Sequence, residues 1–469
     1  MVSLCLLSWI LLIPILNYRR SSLKSERNEK GAEMKGLRKS SHLTMGFASW
    51  WLIILFLLLS LLVGRKNCYA DSAEVLPQGR SAVFIEGKIY LPVTKQYDED
   101  GNKEKIADKY NATLNSTVFP ALGPLGTAFG LPAGTANIGQ TDVSYKYNFT
   151  IIEFNYAYGI TDRLSFGTKI PYWIVDNKVD ASLDTANATL GANPFFGVAP
   201  PPIGRVPLVP TPNVGGPGIP LTTQDIQNLL GPGLDVNKDG TVDIPGYGYK
   251  PVKDWDKQGF SDIELALRYQ YFKSENWRLA ATGGVRMPTG WTDNPDSLVD
   301  YPSGTGAWAG LLRLNQDYVG TKDLFLSATL KYDYYFADRN YERVPASVDE
   351  PLTTNKERVH RTYGPLFELE LTGAYDLWKG LGPFAVYKFG YKWQNHVSGD
   401  KGYDYSSLEE ETNATEHVYI IGLQYSTIPL YLKNEFPVPI VAFIGYRNRF
   451  AGENALVSEY IDVGVAVYF

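Results

Sequence analysis

The last nine residues of the chain, Ile461-Asp-Val-Gly-Val-Ala-Val-Tyr-Phe469, alternate strictly between two sets of side chains. Successive residues of a β-strand point to opposite sides, so one side of this strand is entirely apolar. The apolar side carries Ile461, Val463, Val465, Val467 and Phe469. The segment therefore predicts a strand that separates an apolar environment from a polar one, as a strand of a membrane barrel does.

The same alternation recurs upstream, with charged residues at every second position. In the run 263–271, Glu264 and Arg268 stand between apolar neighbours. A basic side chain facing lipid at the membrane midplane costs roughly 2–4 kcal/mol, so these charges must face a wet interior. The residues predicted to line this lumen are Glu264, Arg268, Arg278, Arg286, Lys331, Asp333, Glu368, Glu370, Lys388, Lys392, Arg447, Arg449 and Asp462. Two interpretations stay open: charges that select solutes in an open pore, or a salt-bridged interior that is closed.

About twelve runs of this kind follow one another along the chain. They lie near residues 81–93, 142–158, 162–174, 260–272, 277–289, 304–316, 322–336, 363–377, 383–396, 416–428, 437–450 and 458–469. Their connections alternate between short and long, as the turns and external loops of outer-membrane barrels do. We therefore predict an all-β fold over residues 81–469: a transmembrane antiparallel β-barrel of about 12 strands with long external loops.

Two details of this barrel are predicted from the spacing. The longest external loop spans residues 175–259. Within the run 142–158 the apolar phase changes at Ile151, which predicts a β-bulge there.

The N-terminus has the features of an exported chain. Basic residues, among them Lys35 and Lys39, precede an apolar run from Phe47 to Val63, and a small residue follows at Ala70. The pattern predicts a secretory signal peptide cleaved after Ala70. A membrane anchor helix is the alternative, because the run is close to the lower spanning length.

On this interpretation residues 1–70 combine an over-extended start with the signal peptide, and residues 71–80 form a short periplasmic segment. Cleavage removes both cysteines, Cys5 and Cys68, so the mature chain has no disulfide and no cysteine-based metal site.

The charge of the mature chain bears on its partners. Residues 71–469 hold 34 basic and 47 acidic residues, a formal charge of −13. An acidic surface argues against a nucleic-acid partner. We expect outer-membrane lipid around the barrel and a small-molecule substrate. The terminal Phe469 resembles the signal that the barrel-assembly machinery reads, which makes that machinery an expected partner and the Gram-negative outer membrane the expected location.

One segment of the longest loop has the spacing of a calcium-binding loop. It is Asp235-Val-Asn237-Lys-Asp239-Gly-Thr241-Val-Asp243, which matches the first nine positions of such a loop. The predicted ligands of Ca²⁺ are Asp235, Asn237, Asp239, Thr241 and Asp243. Gly246 stands where a bidentate carboxylate closes a full site, so we expect an affinity in the millimolar range. The alternative is an acidic turn without a metal.

Two further stretches of this loop carry expectations. Asn193–Pro220 is rich in Pro and Gly, and either folds inward as a constriction or stays mobile. Thr223–Leu230 is expected to form one short helix.

Several short motifs resemble a known family. They are Tyr158-Gly-Ile-Thr-Asp-Arg-Leu-Ser-Phe-Gly167, Gly259-Phe-Ser-Asp-Ile-Glu-Leu265, Val285-Arg-Met-Pro-Thr-Gly290 and Gly304-Thr-Gly306. In this order they resemble the outer-membrane family labelled after the meta-pathway of phenol degradation, over residues 142–469. The resemblance implies a transporter for aromatic or other hydrophobic compounds.

The expected function is therefore an outer-membrane channel for small hydrophobic or aromatic compounds, acting by diffusion or facilitated uptake. The first alternative is a surface binding or structural barrel with a plugged lumen. The second is an outer-membrane hydrolase, for which His396-Val-Ser398-Gly-Asp400 is the nearest candidate. We expect no enzyme and no further cofactor, because no phosphate loop, zinc spacing or haem motif occurs.

Overall fold

The computed structural model describes residues 71–321, 323–348 and 350–469. The predicted signal peptide lies outside the described residues. Twelve strands form a closed ring within one large sheet: β1 Ser81–Tyr90, β2 Asn137–Thr161, β3 Leu164–Asp184, β4 Ile263–Lys273, β5 Trp277–Met287, β6 Ala309–Tyr318, β7 Leu324–Tyr335, β8 Leu366–Tyr375, β9 Leu381–Lys392, β10 Ala414–Ser426, β11 Ile440–Glu453 and β12 Glu459–Tyr468.

Each of these strands pairs antiparallel with the next one along the chain. The sheet closes because β12 pairs with β1, with Tyr468 opposite Ala82 and Tyr460 opposite Tyr90. Closure leaves no free strand edge within the ring. The prediction of a twelve-stranded antiparallel barrel is confirmed.

The connections at one end of the barrel have at most 13 residues, whereas five of the six at the other end are longer. We call these the inner and the outer end. The inner end holds the turns 162–163, 274–276, 319–323, 376–380 and 427–439, and also Ser81 and Phe469, whose backbones hydrogen-bond each other. Shorter strands lie outside the ring, at Lys95–Tyr97, Lys103–Lys105, Thr113–Asn115, Leu190–Ala192, Leu208–Pro210, Gly233–Leu234, Ile244–Pro245, Trp255–Phe260, Asp338–Arg343, Lys356–Thr362, His396–Ser398 and Ala455–Leu456.

In the described part of the chain, helices are few and short. They are the α-helices Leu122–Ala128, Thr223–Leu230 and Ile428–Tyr431, and the 3₁₀ turns Asp108–Tyr110, Ile203–Arg205, Pro212–Val214 and Ser406–Leu408. Thr223–Leu230 is the helix expected from the sequence. Its N-cap Thr222 and Asp225 form a capping box, which explains why this segment turns helical. No helix of the described residues is long and apolar enough to cross a membrane.

The outer surface of the barrel carries an apolar belt. Large apolar side chains that point outward are exposed on strand after strand, for example Ile85, Leu267, Leu312, Ile421 and Val465. A belt of this kind is favourable in lipid and unfavourable in water. The outside of the barrel is therefore the lipid-facing side.

The strands β2 and β3 are far longer than predicted. Residues 137–149 and 175–184 continue the hairpin beyond its pairing with β1, so the first ten residues assigned to the longest loop belong to a strand. Together with the loops they support an external subdomain. Its apolar core includes Leu114, Phe119 and Ile138, packed against Ile226 and Leu229 of the helix Thr223–Leu230.

The β-bulge predicted near Ile151 is wrong. The pairing of β2 with β3 runs from Gln140 to Gly159 without a shift of register. The large apolar residues of β2 move from one side of the strand to the other because the surroundings of the strand change along its length. Tyr147 and Phe149 point inward and pack against external segments, whereas from Phe154 onward the outward side chains meet lipid.

Candidate functional site

Charged side chains cover the inner face of the barrel on all sides. Each of the twelve strands contributes at least one, and ion pairs join neighbouring strands. Glu264 contacts Arg286 at 2.7 Å and Arg313 at 2.8 Å, and Arg286 contacts Asp333 at 2.7 Å. These partners come from strands β4 to β7, so their ion pairs link four neighbouring strands inside the barrel.

A second group of ion pairs lies on β7 to β9. Lys331 contacts Glu368 at 2.8 Å and Glu370 at 3.0 Å, and Lys388 contacts Glu370 at 3.0 Å. Arg449 of β11 contacts Glu416 of β10 at 2.6 Å. Each basic group thus has an acidic partner, which lowers the cost of enclosing charge.

The structure places the remaining predicted lumen residues as follows. Arg447 contacts the hydroxyl of Tyr460, and Asp462 is buried. Lys392 lies at the outer rim, where its ammonium group donates to Asn395 and to the carbonyl of Thr412.

Several lumen residues were missed by the sequence argument. Glu153 of β2 contacts Lys88 of β1 at 2.8 Å and Lys169 of β3 at 3.1 Å. Arg313 stands between Leu312 and Leu314, which are exposed on the lipid face. The same alternation that marked the other lumen residues could have identified Arg313.

Residues 71–80, which we call the N-terminal segment, run along the inside of the barrel wall. This is the segment predicted to lie in the periplasm. The carboxylate of Asp71 accepts a short hydrogen bond from Arg268 and lies 3.6 Å from Arg313 and 3.8 Å from Lys331. The tip of the segment therefore sits among three basic groups halfway up the lumen.

Backbone contacts hold the rest of this segment. The Asp71 carbonyl accepts from Thr329 at 2.8 Å, and the Ala73 carbonyl accepts from Gln270 at 2.8 Å. The Asp317 carboxylate accepts from the Ser72 hydroxyl at 2.7 Å and from the Ala73 amide at 2.9 Å. The inner half of the lumen is thus occupied by the chain itself.

The outer mouth is covered by residues 288–308, which we call the cap loop. The carbonyl of Val299 accepts from the Asn177 amide at 2.9 Å and from the Trp255 indole at 2.8 Å. The ring of Tyr301 packs 5.0 Å from that of Phe149 and stacks on Trp173. An aromatic cluster therefore lies where a solute would enter.

The base of the cap loop is assembled from three of the family-like motifs. The Asp262 carboxylate accepts from the Gly290 amide at 3.0 Å and from the Thr305 amide at 3.1 Å. At Gly304 a Cβ would lie 2.3 Å from an Asp262 oxygen, so only glycine allows this approach. The glycines of these motifs thus serve close backbone packing.

A chamber of about 460 Å³ lies between the cap loop and the N-terminal segment. Its lining includes Pro302–Thr305 of the cap loop, the charged residues Glu153, Glu264 and Arg286, and the aromatic ring of Tyr460. The chamber therefore presents mixed charge and a few aromatic surfaces.

Two carboxyl groups of the external region have pKa values raised to about 7. Burial raises the pKa of Asp300 in the cap loop to about 7, and the neighbouring Asp293 carboxyl adds to the rise. Burial also raises the pKa of Glu342 to about 7, although Arg361 opposes it. Both groups therefore change charge near neutral pH.

The predicted calcium loop is a tight turn whose oxygens serve its own backbone. Asp235 accepts from the Asp239 and Gly240 amides, and Asp239 accepts from Thr241. Asp243 accepts from the Val236 amide at 2.8 Å. Among the described residues no three His, Cys, Asp or Glu side chains converge as metal ligands would. This arrangement does not fit a formed site, and calcium binding remains a prediction.

The histidine considered for hydrolysis lies on the surface. His396 contacts Glu409 at 2.8 Å, and 75% of its side chain is exposed. Ser398, two residues further on, is exposed on the same short strand. This is the geometry of a surface ion pair.

Fold and lumen together define a porin-like transmembrane β-barrel. No family model matches the chain, and no curated protein matches it at a significant level.

Among solved structures, an outer-membrane channel from Pseudomonas putida F1 aligns with 86% of this chain and 100% of its own, at 11% identity and a TM-score of 0.47. A FadL homologue from Pseudomonas aeruginosa aligns with 83% of this chain and 90% of its own, at 10% identity and a TM-score of 0.31. A mutant of TodX, a monoaromatic hydrocarbon channel, aligns with 84% of this chain and 91% of its own, at 11% identity and a TM-score of 0.32. These likenesses are too distant to carry an argument about what the chain transports.

Proposed function

We propose that the protein is an outer-membrane channel for small molecules. The observation that carries this proposal is a charged chamber of about 460 Å³ inside a closed barrel whose outer surface is apolar. An apolar belt suits lipid, and a continuous polar wall suits a hydrated path through it.

The substrates we propose are small hydrophobic or aromatic compounds, as the resemblance to the phenol-degradation family implies. The aromatic cluster of Tyr147, Phe149, Trp173 and Tyr301 at the outer mouth supports this choice. Flat rings pack favourably against such a cluster. Diffusion and facilitated uptake are both compatible with it.

The N-terminal segment is the inner gate of this channel in our proposal. Its contacts with the wall are hydrogen bonds and ion pairs, which water can replace more readily than it can replace apolar packing. Release of the segment would connect the chamber to the inner end of the barrel.

Single-channel conductance in a planar bilayer tests the proposal. The protein is purified from the outer membranes of an expressing strain, which leaves its processing to the cell. We expect ion conductance that is mostly closed with brief openings, and uptake of phenol faster than uptake of a disaccharide in a liposome assay. Complete silence in both assays, from a barrel shown to be folded, contradicts the channel.

A second candidate function is a surface-binding barrel with a plugged lumen. It is favoured by the cap loop and the N-terminal segment, which occupy the two halves of the lumen. Silence in the bilayer together with retained ligand binding by the external subdomain is the result this candidate requires. The hydrolase alternative requires an esterase or protease activity that His396→Ala abolishes.

Location and assembly are part of the same proposal. We propose export by the signal peptide and insertion through the barrel-assembly machinery, which would recognise the strand ending at Phe469. Deletion of Phe469 should lower the amount of heat-modifiable barrel in the outer-membrane fraction severalfold. Val83→Ala, on the lipid face of β1, is the control and should leave that amount unchanged.

We also propose calcium binding by residues 235–243, whose side-chain oxygens now bond the backbone of their own turn. Binding would require those bonds to rearrange, so we expect a dissociation constant of about 1 mM. Calorimetric titration with CaCl₂ measures it, with the double variant Asp235→Asn/Asp239→Asn as the control. Equal heats from the parent and the double variant contradict the site.

A further inference from the structure

A separate cavity of about 270 Å³ lies in the external subdomain, away from the lumen. Its walls come from residues 109–120, the outer part of the β2–β3 hairpin, the helix Thr223–Leu230, and Ala346 with Glu350, Pro351 and Leu352. Leu298 and Val299 of the cap loop complete them. Distant parts of the sequence thus line one space.

The surface of this cavity is apolar. Leu114 and Ile226 are buried in its wall beside Leu183 and Leu352. The two ionic residues that border it, Lys109 and Glu350, are exposed to solvent. The interior therefore offers dispersion contacts and no enclosed ion pair.

The polar groups of the wall bond to one another. The Tyr110 hydroxyl donates to the Leu298 carbonyl at 2.5 Å, and the Thr141 hydroxyl donates to the Tyr110 carbonyl at 2.6 Å. The Gln227 amide group donates to the Val252 carbonyl at 3.0 Å and accepts from its amide at 2.9 Å. A ligand that needs hydrogen bonds would lose those it makes with water, at a cost of about 1–3 kcal/mol per group.

We propose that this cavity binds one small uncharged apolar molecule, an aromatic hydrocarbon of one or two rings. Size supports this class, because an apolar protein cavity of about 150 Å³ binds benzene. A cavity of about 270 Å³ accepts up to a bicyclic ring system. Charged and strongly polar solutes are excluded by the wall.

The cavity also borders the cap loop, which covers the lumen. Leu298 and Val299 face it, and the carbonyl of Val299 accepts from Tyr147, Asn177 and Trp255 of the mouth. A bound ring would therefore touch the cap loop from outside. The assignment of this site as the capture site of the channel rests on the proposed function, whereas the binding itself does not.

Ligand-observed ¹⁹F NMR with fluorobenzene and 1-fluoronaphthalene tests the binding, using the full chain in lipid nanodiscs. Empty nanodiscs correct for partition of the probe into lipid. Ala181→Phe fills the cavity from β3, and Ala186→Phe places the same ring at an exposed position beyond the cavity. Val118→Asp introduces a charge into the wall without filling it.

We expect saturable binding of both probes to the parent and to Ala186→Phe. Binding should weaken at least tenfold in Ala181→Phe and in Val118→Asp, with the barrel still heat-modifiable. Should one of the two cavity variants fail to fold, the other decides. Binding that survives unchanged in a folded cavity variant overturns the proposal, as does binding to the parent that is no greater than to empty nanodiscs. Conductance and liposome uptake are measured on the same purified protein, so a folded barrel that is silent in both assays but still binds the probes refutes the channel and leaves the cavity site standing.

Discussion

At the scale of single residues, the carboxylate of Asp71 anchors the N-terminal segment inside the lumen. Its carboxylate faces Arg268, Arg313 and Lys331. In Asp71→Ala the three basic groups lose their shared anion and repel one another, so the N-terminal segment is held less tightly, by about 1–3 kcal/mol. We expect the open probability in a planar bilayer to rise at least fivefold, with a shift toward anion selectivity.

Glu74→Ala is the matched control for this change. Glu74 belongs to the same segment, but its side chain is 43% exposed and contacts a single partner, Arg278, at 3.1 Å. Exposed pairs of this kind contribute about 0–1 kcal/mol. An equal rise in open probability in both variants would contradict a specific role for Asp71.

A second residue-scale prediction concerns Gly304 at the base of the cap loop. In Gly304→Ala the new Cβ would meet the Asp262 carboxylate and lie 2.9 Å from Gly290. The loop must shift, at a cost of about 1–3 kcal/mol. We expect faster proteolytic cleavage within residues 288–308. Gly283→Ala is the control, since its Cβ would have no neighbour within 4 Å, and cleavage as slow as in that control would contradict the packing argument.

At the scale of elements, the cap loop should be sensitive to pH. The pKa of Asp300, about 7, lies above its ordinary value of 3.8, so the folded loop favours the protonated acid. The loop is therefore most stable below about pH 4 and loses stability as the pH rises through 7. Hydrogen exchange of residues 288–308, corrected for intrinsic rates, should be faster at pH 8 than at pH 5.

Asp300→Asn should remove most of this difference, because an amide does not ionise and its oxygen can still accept from the Asn294 amide. Peptides from the helix Thr223–Leu230 serve as an internal reference. A pH dependence that persists undiminished in Asp300→Asn would assign the effect to another group, of which Glu342 is the first candidate.

The elements also show how far the sequence predicts this molecule. All twelve strands were predicted, because lipid outside and charge inside impose a period of two on each strand. Residues 137–141 of β2 and 175–184 of β3 were not, and the change of apolar side in β2 was misread as a β-bulge, because the outer part of this hairpin packs against other loops instead of lipid. The cap loop was missed for a related reason: Asp262 meets Thr305 across 43 positions, and no local pattern encodes that contact.

The predictions for the lumen divide in the same way: some of its residues were predicted from the sequence and others were missed. Charged residues on strands were predicted from alternation alone. The entry of the N-terminal segment was not, because Asp71 meets Arg268 197 positions downstream and carries no periodic signal. Contacts between distant segments depend on the completed barrel.

At the scale of the whole molecule, locking the N-terminal segment tests whether it is the gate. Residues 71–469 contain no cysteine, and the Ser72 hydroxyl lies 2.7 Å from the Asp317 carboxylate. In Ser72→Cys/Asp317→Cys, oxidation to a disulfide or a short bis-methanethiosulfonate cross-linker should tie the segment to β6. We expect conductance and phenol uptake to fall at least tenfold and to return on reduction. Each single variant controls for the loss of its own side chain. Because the segment occupies the inner half of the lumen, a cross-linked barrel that conducts as well as the reduced one would place the path of the solute elsewhere, through the wall or past an immobile plug.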